Sequence, residues 1–475
     1  MQVAAHLDVD VIALETDDQV TVMLQFDAPQ PPPTGTPRVE HTAIVVLDRS
    51  GSMSGGRLHN AKQALLSLVD RLDDRDRFGL VVFDDQAQVL VPADRVGALG
   101  QKLVKQAIAT VQTGGSTDLS SGYLRGLQEA RRVAGPSGAT VLLLSDGMAN
   151  AGVTDPDQLG SLARQATRGR ITTSTIGIGT GYDETILAAV AVGGQGNHAF
   201  AEHAEGTVVA VAGEIDGLLS KTVQAASVLV RPLVGVATVS VLNDLPAVAT
   251  ADGVLIELGD FYAGEERRLL LEFAVPACAA MGLATVASID VRYVELPALV
   301  EHVVFLPVSV NVVPADAAAG RLPSAEVTQE KLLLRVQRAK KDSEEALRYG
   351  DAAGARAQLQ SAAGVLASAP LSAATSAEAD WVAETLGTLD DRDEGYNLKR
   401  MRASSSRAAR GYKTRTRAAR WPNEHVRREH GVLRLPSPAQ SGVHGDNGRP
   451  RCERHRSRRP LPLSQPVRVL LDVEM

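Results

Sequence analysis

Aliphatic runs alternate with segments of helical spacing through the middle of the chain. The run Ala43-Ile-Val-Val-Leu47 stops abruptly at Asp48-Arg-Ser50-Gly-Ser52-Met53. One carboxylate and two hydroxyls follow the apolar stretch at alternate positions. A short apolar run bounded by turn residues predicts a strand buried on both faces, as in parallel sheets. Strands are predicted at His41–Leu47, Arg77–Phe83, Gln88–Val91, Thr140–Ser145, Ile171–Ile178 and Asn197–Phe200. Helices are predicted at Arg57–Arg71, Gly100–Thr110, Ser121–Val133, Asp157–Arg168, Asp183–Val192 and His203–Leu219. Strands separated by helical stretches imply crossover connections. Residues 40–222 therefore read as an α/β domain with a doubly wound, mostly parallel sheet.

The flanks have a different texture. Val3 to Phe26 alternates through Val9, Val11, Val20, Val22, Leu24 and Phe26, and is broken by Glu15-Thr-Asp-Asp18. This predicts a β-hairpin or two short strands. Ala28-Pro-Gln-Pro-Pro-Pro33-Thr-Gly-Thr-Pro37 reads as a stiff linker. Residues 226–313 carry short β-rich runs between turn residues, the pattern of an antiparallel β-sandwich. The strands of residues 1–30 are expected to complete that sandwich, with the α/β domain inserted between. Residues 324–411 have helical spacing over Ser324–Leu366 and Ser376–Leu389, joined through Ala369-Pro370 as an α-hairpin. Residues 412–475 are rich in Arg, Pro, Ser and His without periodicity, and read as a disordered basic tail.

Composition sharpens this picture. A chain of 475 residues with 44% hydrophobic but only 3% aromatic residues must build its cores from Val, Leu, Ala and Ile. The net charge of −7 hides a tail, Lys399 to Arg459, in which basic residues outnumber acidic ones. Such asymmetry points to self-contact or an anionic partner. Two cysteines, Cys278 and Cys452, give no disulfide framework. No stretch approaches the roughly 20 apolar residues of a membrane helix, and Met1 to Asp10 alternates like a strand. A soluble, cytoplasmic protein is the expectation.

Two further segments bear on the chemistry at Asp48. Thr113-Gly-Gly-Ser-Thr117-Asp118-Leu119 is a Gly-rich turn leading into a helix. Val141-Leu-Leu-Leu-Ser145-Asp146-Gly147 is a second buried strand ending in a carboxylate. Ligands of open α/β sheets bind beyond the carboxyl ends of such strands. The donors there are oxygens, without Cys or His beside them, which suits Mg²⁺ better than Zn²⁺.

Asp48, Ser50, Ser52, Thr117 and Asp146, in this order and strand context, resemble the metal-ion-dependent adhesion site of von Willebrand factor type A domains. The resemblance implies a Rossmann-like fold and a bound Mg²⁺, with Mn²⁺ or Ca²⁺ as other candidates. It implies direct ligation by Ser50 and Ser52, and ligation by Thr117 directly or through water. Asp48 and Asp146 would touch the ion or hold its waters. One coordination position would await a Glu or Asp of a protein partner. The layout is similar to bacterial intracellular members of this family, and the resemblance implies an adaptor or scaffold and not an enzyme. No phosphate-binding loop signature occurs.

The glycines 51, 56, 114, 115 and 147 are expected to let loops close over the ion, with positive φ available to Gly114 and Gly115. Arg49 is expected to point to solvent or toward an acidic partner. Asp84-Asp85 reads as a solvated turn, and His198 and His203 as ordinary core or surface residues. Two other functions remain open. One is a Mg²⁺-dependent hydrolase or phosphatase, for which no nucleophile–base pair is visible. The other is RNA binding through the basic stripe Arg400–Arg420, with Tyr412 and Trp421 interleaved.

Overall fold

The computed structural model describes residues 1–30, 39–179, 181–201, 206, 210–214, 217, 220–233, 236, 238–389, 397, 401 and 412–414. The proline-rich linker, most of the helix predicted at His203–Leu219, and the tail beyond Thr414 lie outside these residues.

Three strands open the chain: β1 (Gln2–Leu7), β2 (Val11–Ala13) and β3 (Asp18–Asp27). β1 and β3 pair antiparallel, whereas β2 leaves them for a different sheet. There follow β4 (Thr42–Asp48), α1 (Arg57–Arg71), β5 (Arg77–Phe83), β6 (Ala87–Arg95), α2 (Val96–Leu99), α3 (Gln101–Thr110) and α4 (Leu119–Val133). β7 (Ala139–Ser145), α5 (Pro156–Thr167), β8 (Ile171–Ile178), α6 (Glu184–Gly193) and β9 (Gln195–Ala201) complete this region. The six strands lie in the order β6-β5-β4-β7-β8-β9. All pairings are parallel except β5–β6.

Every residue of β4 is buried because the strand has neighbours on both edges and helices on both faces. Val45 and Leu47 pack with Ala61, Leu65 and Leu68 of α1. Ile44 and Val46 pack with Tyr123 and Leu127 of α4 and with Leu159 of α5. The chain leaves β4 for β5 on one side and returns for β7 on the other. The connections therefore diverge at the carboxyl end of β4, which opens a crevice there.

Helix α4 lies very close to the sheet. A methyl at Gly122 would come within 2.5 Å of the Phe83 ring, and one at Gly126 within 2.3 Å of Val46 Cγ2. Gly122→Ala is expected to cost about 1–3 kcal/mol by forcing α4 outward. Urea denaturation checks this; an unchanged midpoint would show that the helix shifts freely.

The later strands are β10 (Lys221–Pro232), β11 (Thr238–Val241), β12 (Ala247–Thr250), β13 (Gly253–Tyr262), β14 (Glu266–Val275), β15 (Gly282–Glu295) and β16 (Val300–Val313). One sheet has the order β1-β3-β14-β11, and another β12-β13-β10-β15-β16-β2. The two share one core, in which Val22, Leu24 and Phe26 of β3 meet Val228 of β10, Ile289 of β15 and Leu306 of β16. Tyr412–Thr414, expected at the start of the disordered tail, form a short strand, β17, paired with β14.

The helices α7 (Ala315–Ala318), α8 (Ala325–Arg348), α9 (Ala352–Ala367) and α10 (Ala373–Thr388) follow. The single helix expected over Ser324–Leu366 is broken. Gly350 adopts φ +74°, and Asp351 restarts the helix by accepting from the Gly354 N–H at 2.8 Å. Val327 and Leu334 of α8 bury Met23 and Leu270, on the face of the β3–β14 sheet opposite the shared core. Among the described residues, no helix is long and apolar enough to cross a membrane.

Candidate metal centre

Asp48 is the last residue of β4 and is fully buried. Both of its oxygens are engaged. Oδ1 accepts from the Ser50 N–H at 2.8 Å, and Oδ2 from the Ser145 hydroxyl at 2.6 Å. The first bond folds the turn that follows the strand. The second ties the ends of β4 and β7 together. A short 3-10 turn, Gly51–Met53, then leads through Gly55 and Gly56, both at positive φ, into α1.

Three separate segments converge here. Ser50 Oγ and Ser52 Oγ lie 2.9 Å apart. Ser52 Oγ donates to Asp146 Oδ1 at 2.6 Å. Thr117 enters from the loop before α4, its N–H donating to Asn150 Oδ1 at 3.0 Å. The loops are laced by the Gly51 N–H to Gly115 O bond at 2.9 Å and the Gly114 N–H to Arg49 O bond at 2.6 Å. A methyl group on Gly147 would sit 3.1 Å from both Ser52 Oγ and Thr117 Oγ1 and 3.7 Å from Ser50 Oγ. Three hydroxyls thus surround a space that glycine leaves free.

Burial pushes the Asp48 carboxyl above its usual value, and the nearby Asp146 charge adds to this. The hydrogen bonds from Ser145 and Ser50 pull the other way without cancelling it. Asp146 is also fully buried, and its Oδ2 accepts from Arg57 Nη1 at 2.8 Å. The donor set is therefore three hydroxyls and two carboxylates, all hard oxygens. Among the described residues no cluster of three or more His, Cys, Asp and Glu side chains offers a metal site. A hydroxyl-dominated pocket with two acids fits a small hard cation.

The sequence profile of the von Willebrand factor type A domain matches residues 44–212. The chain carries a von Willebrand factor type A domain. This family is one of protein-interaction modules. An uncharacterized protein of Synechocystis sp. is 27% identical over 341 residues, which is 69% of this chain and 78% of that protein. Human inter-alpha-trypsin inhibitor heavy chain H4 is 29% identical over 170 residues. That match takes in 34% of this chain and 18% of the human one, so the chain spans under a fifth of that relative. A solved von Willebrand factor type A structure from Catenulispora acidiphila superposes with a TM-score of 0.67 at 17% identity. The superposition covers 85% of this chain and 96% of that one. At that identity the likeness shows the fold.

Several residues around the type A site behave differently from expectation. Arg49 does not reach into solvent for a partner: its guanidinium pairs with Asp84 at 3.0 Å. Asp84 is no solvated turn either, being 5% exposed. Burial raises its carboxyl, but the Gln86 backbone hydrogen bond and the Arg49 charge outweigh this and hold it below the usual range. Gly114 and Gly115 do not use positive φ. Gly114 is required because a Cβ there would lie 1.9 Å from Asp84 Oδ2. Gly147 likewise serves by its missing side chain, not by its backbone angle. Asp118 caps α4, accepting from the Ser121 N–H at 3.0 Å. His198 is buried between Thr175 Oγ1 at 2.9 Å and Tyr182 OH at 3.3 Å. His203 lies outside the described residues. Apart from Met401 and the strand Tyr412–Thr414, so does the basic stripe. Ser145, Asn150 and Arg57 were not singled out by the sequence. Only Ser145 had a signal, a hydroxyl closing the apolar run Val141–Leu144.

Proposed function

We propose that Asp48, Ser50, Ser52, Thr117 and Asp146 hold one divalent cation, Mg²⁺ in preference to Mn²⁺ or Ca²⁺, and that the cation captures a Glu or Asp of a protein partner. The carrying observation is the convergence of three hydroxyls on the space over Gly147, one of them bonded to the Asp146 carboxylate, at the crevice where the sheet topology diverges. When bound, the cation supplies a Lewis-acidic centre that a partner carboxylate completes. The residues of this chain orient that centre. Ser145 and the Ser50 N–H fix Asp48, Asn150 fixes the Thr117 backbone, and Arg57 holds one oxygen of Asp146. The role is that of an adaptor or scaffold without catalysis of its own. In this reading residues 1–30 and 226–313 form one β-sandwich into which the type A domain is inserted, so the sandwich carries the cation-binding loops to a partner.

Calorimetric titration of the full chain with Mg²⁺, Mn²⁺ and Ca²⁺ tests the metal. The informative variant is Gly147→Ala, which removes no ligand but places a methyl among the three hydroxyls. It is expected to weaken cation affinity by at least about tenfold while the fold persists by circular dichroism. Partner capture in Mg²⁺ buffer, with elution by EDTA, is expected for wild type and lost in the variant. Failure of wild type to take up any of the three cations rejects the reading.

A further inference from the structure

Arg57 stands at the mouth of this site with a charge that the ligand set does not need. It is the first residue of α1 and is fixed on both sides. Its Nη1 donates to the Ser52 carbonyl at 3.0 Å and to Asp146 Oδ2 at 2.8 Å. The remaining guanidinium atoms pass over Gly179, where a Cβ would lie 3.2 Å from Nε and 3.3 Å from Nη2. Glycine at 179 therefore keeps the lane open for the arginine. The side chain is 38% exposed, against 0% for Asp146. The other basic residue at the rim, Arg49, is taken by Asp84. Arg57 is thus the positive side chain shown in contact with a carboxylate of the proposed ligand set.

We propose that Arg57 is a tethered counter-cation: it restrains cation uptake at Asp146 and leaves the loaded site with surplus positive charge for an acidic partner. This rests on the cation-binding reading given above. The argument is one of charge. Two carboxylates and one guanidinium leave the empty cluster with a single negative charge. A dication converts this to a single positive charge, which favours an incoming carboxylate. Without Arg57 the empty cluster attracts the dication more strongly, and the loaded cluster is neutral. Like charges a few ångströms apart near a protein surface interact strongly enough to change affinity by about tenfold.

The opposite expectation is that Arg57 serves only to orient Asp146. Its removal would then weaken metal uptake. The sign of the change separates the two. Mn²⁺ alone is titrated into the full chain, with free Mn²⁺ read by electron paramagnetic resonance, for wild type, Arg57→Gln and Arg57→Lys. Arg57→Gln is expected to bind Mn²⁺ about tenfold more tightly than wild type, and Arg57→Lys within about threefold of it. Equal or weaker binding by Arg57→Gln overturns the proposal while leaving the metal site standing. No Mn²⁺ uptake by wild type overturns both. Arg57→Met, which keeps an unbranched apolar stem over Gly179, carries the same expectation if the Gln variant does not fold. Failure of both to fold assigns Arg57 to structure alone and overturns the proposal.

Discussion

Phe26→Ala is expected to destabilise the protein by about 3–5 kcal/mol, although it lies far in sequence from the strands it supports. β3 is flanked by β1 on one edge and by β14 on the other, with ten residues of β14 in register against it. Val20, Val22, Leu24 and Phe26 alternate into the core shared with β10, β13, β15 and β16, and each is fully buried. Phe26 meets Phe261 of β13 at 6.0 Å between ring centroids, tilted by 57°. Four such side chains contribute about 1.5–3 kcal/mol each, which rivals the whole stability of about 5–15 kcal/mol typical of a folded protein. A chain lacking residues 1–30 is therefore expected to lose protease resistance across residues 220–313. The two cores around β4 draw no residue from 1–30, so the Mn²⁺ uptake proposed for the type A domain is expected to persist in that deletion. Denaturant titration of Phe26→Ala and limited proteolysis of the deletion check these outcomes. Continued resistance of residues 220–313 would show that β14 does not need β3 beside it.

The sequence made β4 legible because an all-apolar run with hydroxyls at its end has one economical explanation, a central parallel strand that ends in a site. Features set by long-range contact were less visible. β6 was expected only over Gln88–Val91 yet extends over Ala87–Arg95. Pro92 and Asp94 argue against a strand interior, but β6 is an edge strand, where proline loses no ladder bond. The break at Tyr349-Gly350-Asp351 was hidden by the strong helix formers on either side. Gly114 and Gly147 were noticed for the wrong reason, since the atoms that crowd them belong to other loops. Arg57 could not be noticed at all: its partner Asp146 is 89 residues away, and an arginine opening a helix looks like any exposed charge.

Asp48→Asn is expected to separate stability from function more sharply than any other change. Burial raises the Asp48 carboxyl above its usual value. The folded protein therefore holds that proton to a higher pH than the unfolded chain does. Stability from this group is complete below the ordinary carboxylate value, about 3.9, and is lost as pH climbs through the raised folded value. At neutral pH and without metal, wild type carries a buried carboxylate beside the Asp146 charge. Asparagine keeps the shape, accepts from the Ser50 N–H through its carbonyl, and can donate to the Ser145 hydroxyl. The metal-free variant is thus expected to melt at or above the wild-type temperature at neutral pH, with the gap closing in acid. Mg²⁺ reverses the order. A cation at about 100 times its dissociation constant adds about 2.7 kcal/mol to the protein that binds it, and the variant, short of one negative charge, gains little. Asp48→Ala differs from both, since it leaves the Ser50 N–H and Ser145 hydroxyl without their acceptor at a cost of about 1–3 kcal/mol. Melting curves at several pH values, with Mg²⁺ and with EDTA, distinguish these cases. A Mg²⁺-induced rise of equal size in wild type and Asp48→Asn would mean that the carboxylate at the end of β4 is there for the turn and not for the ion.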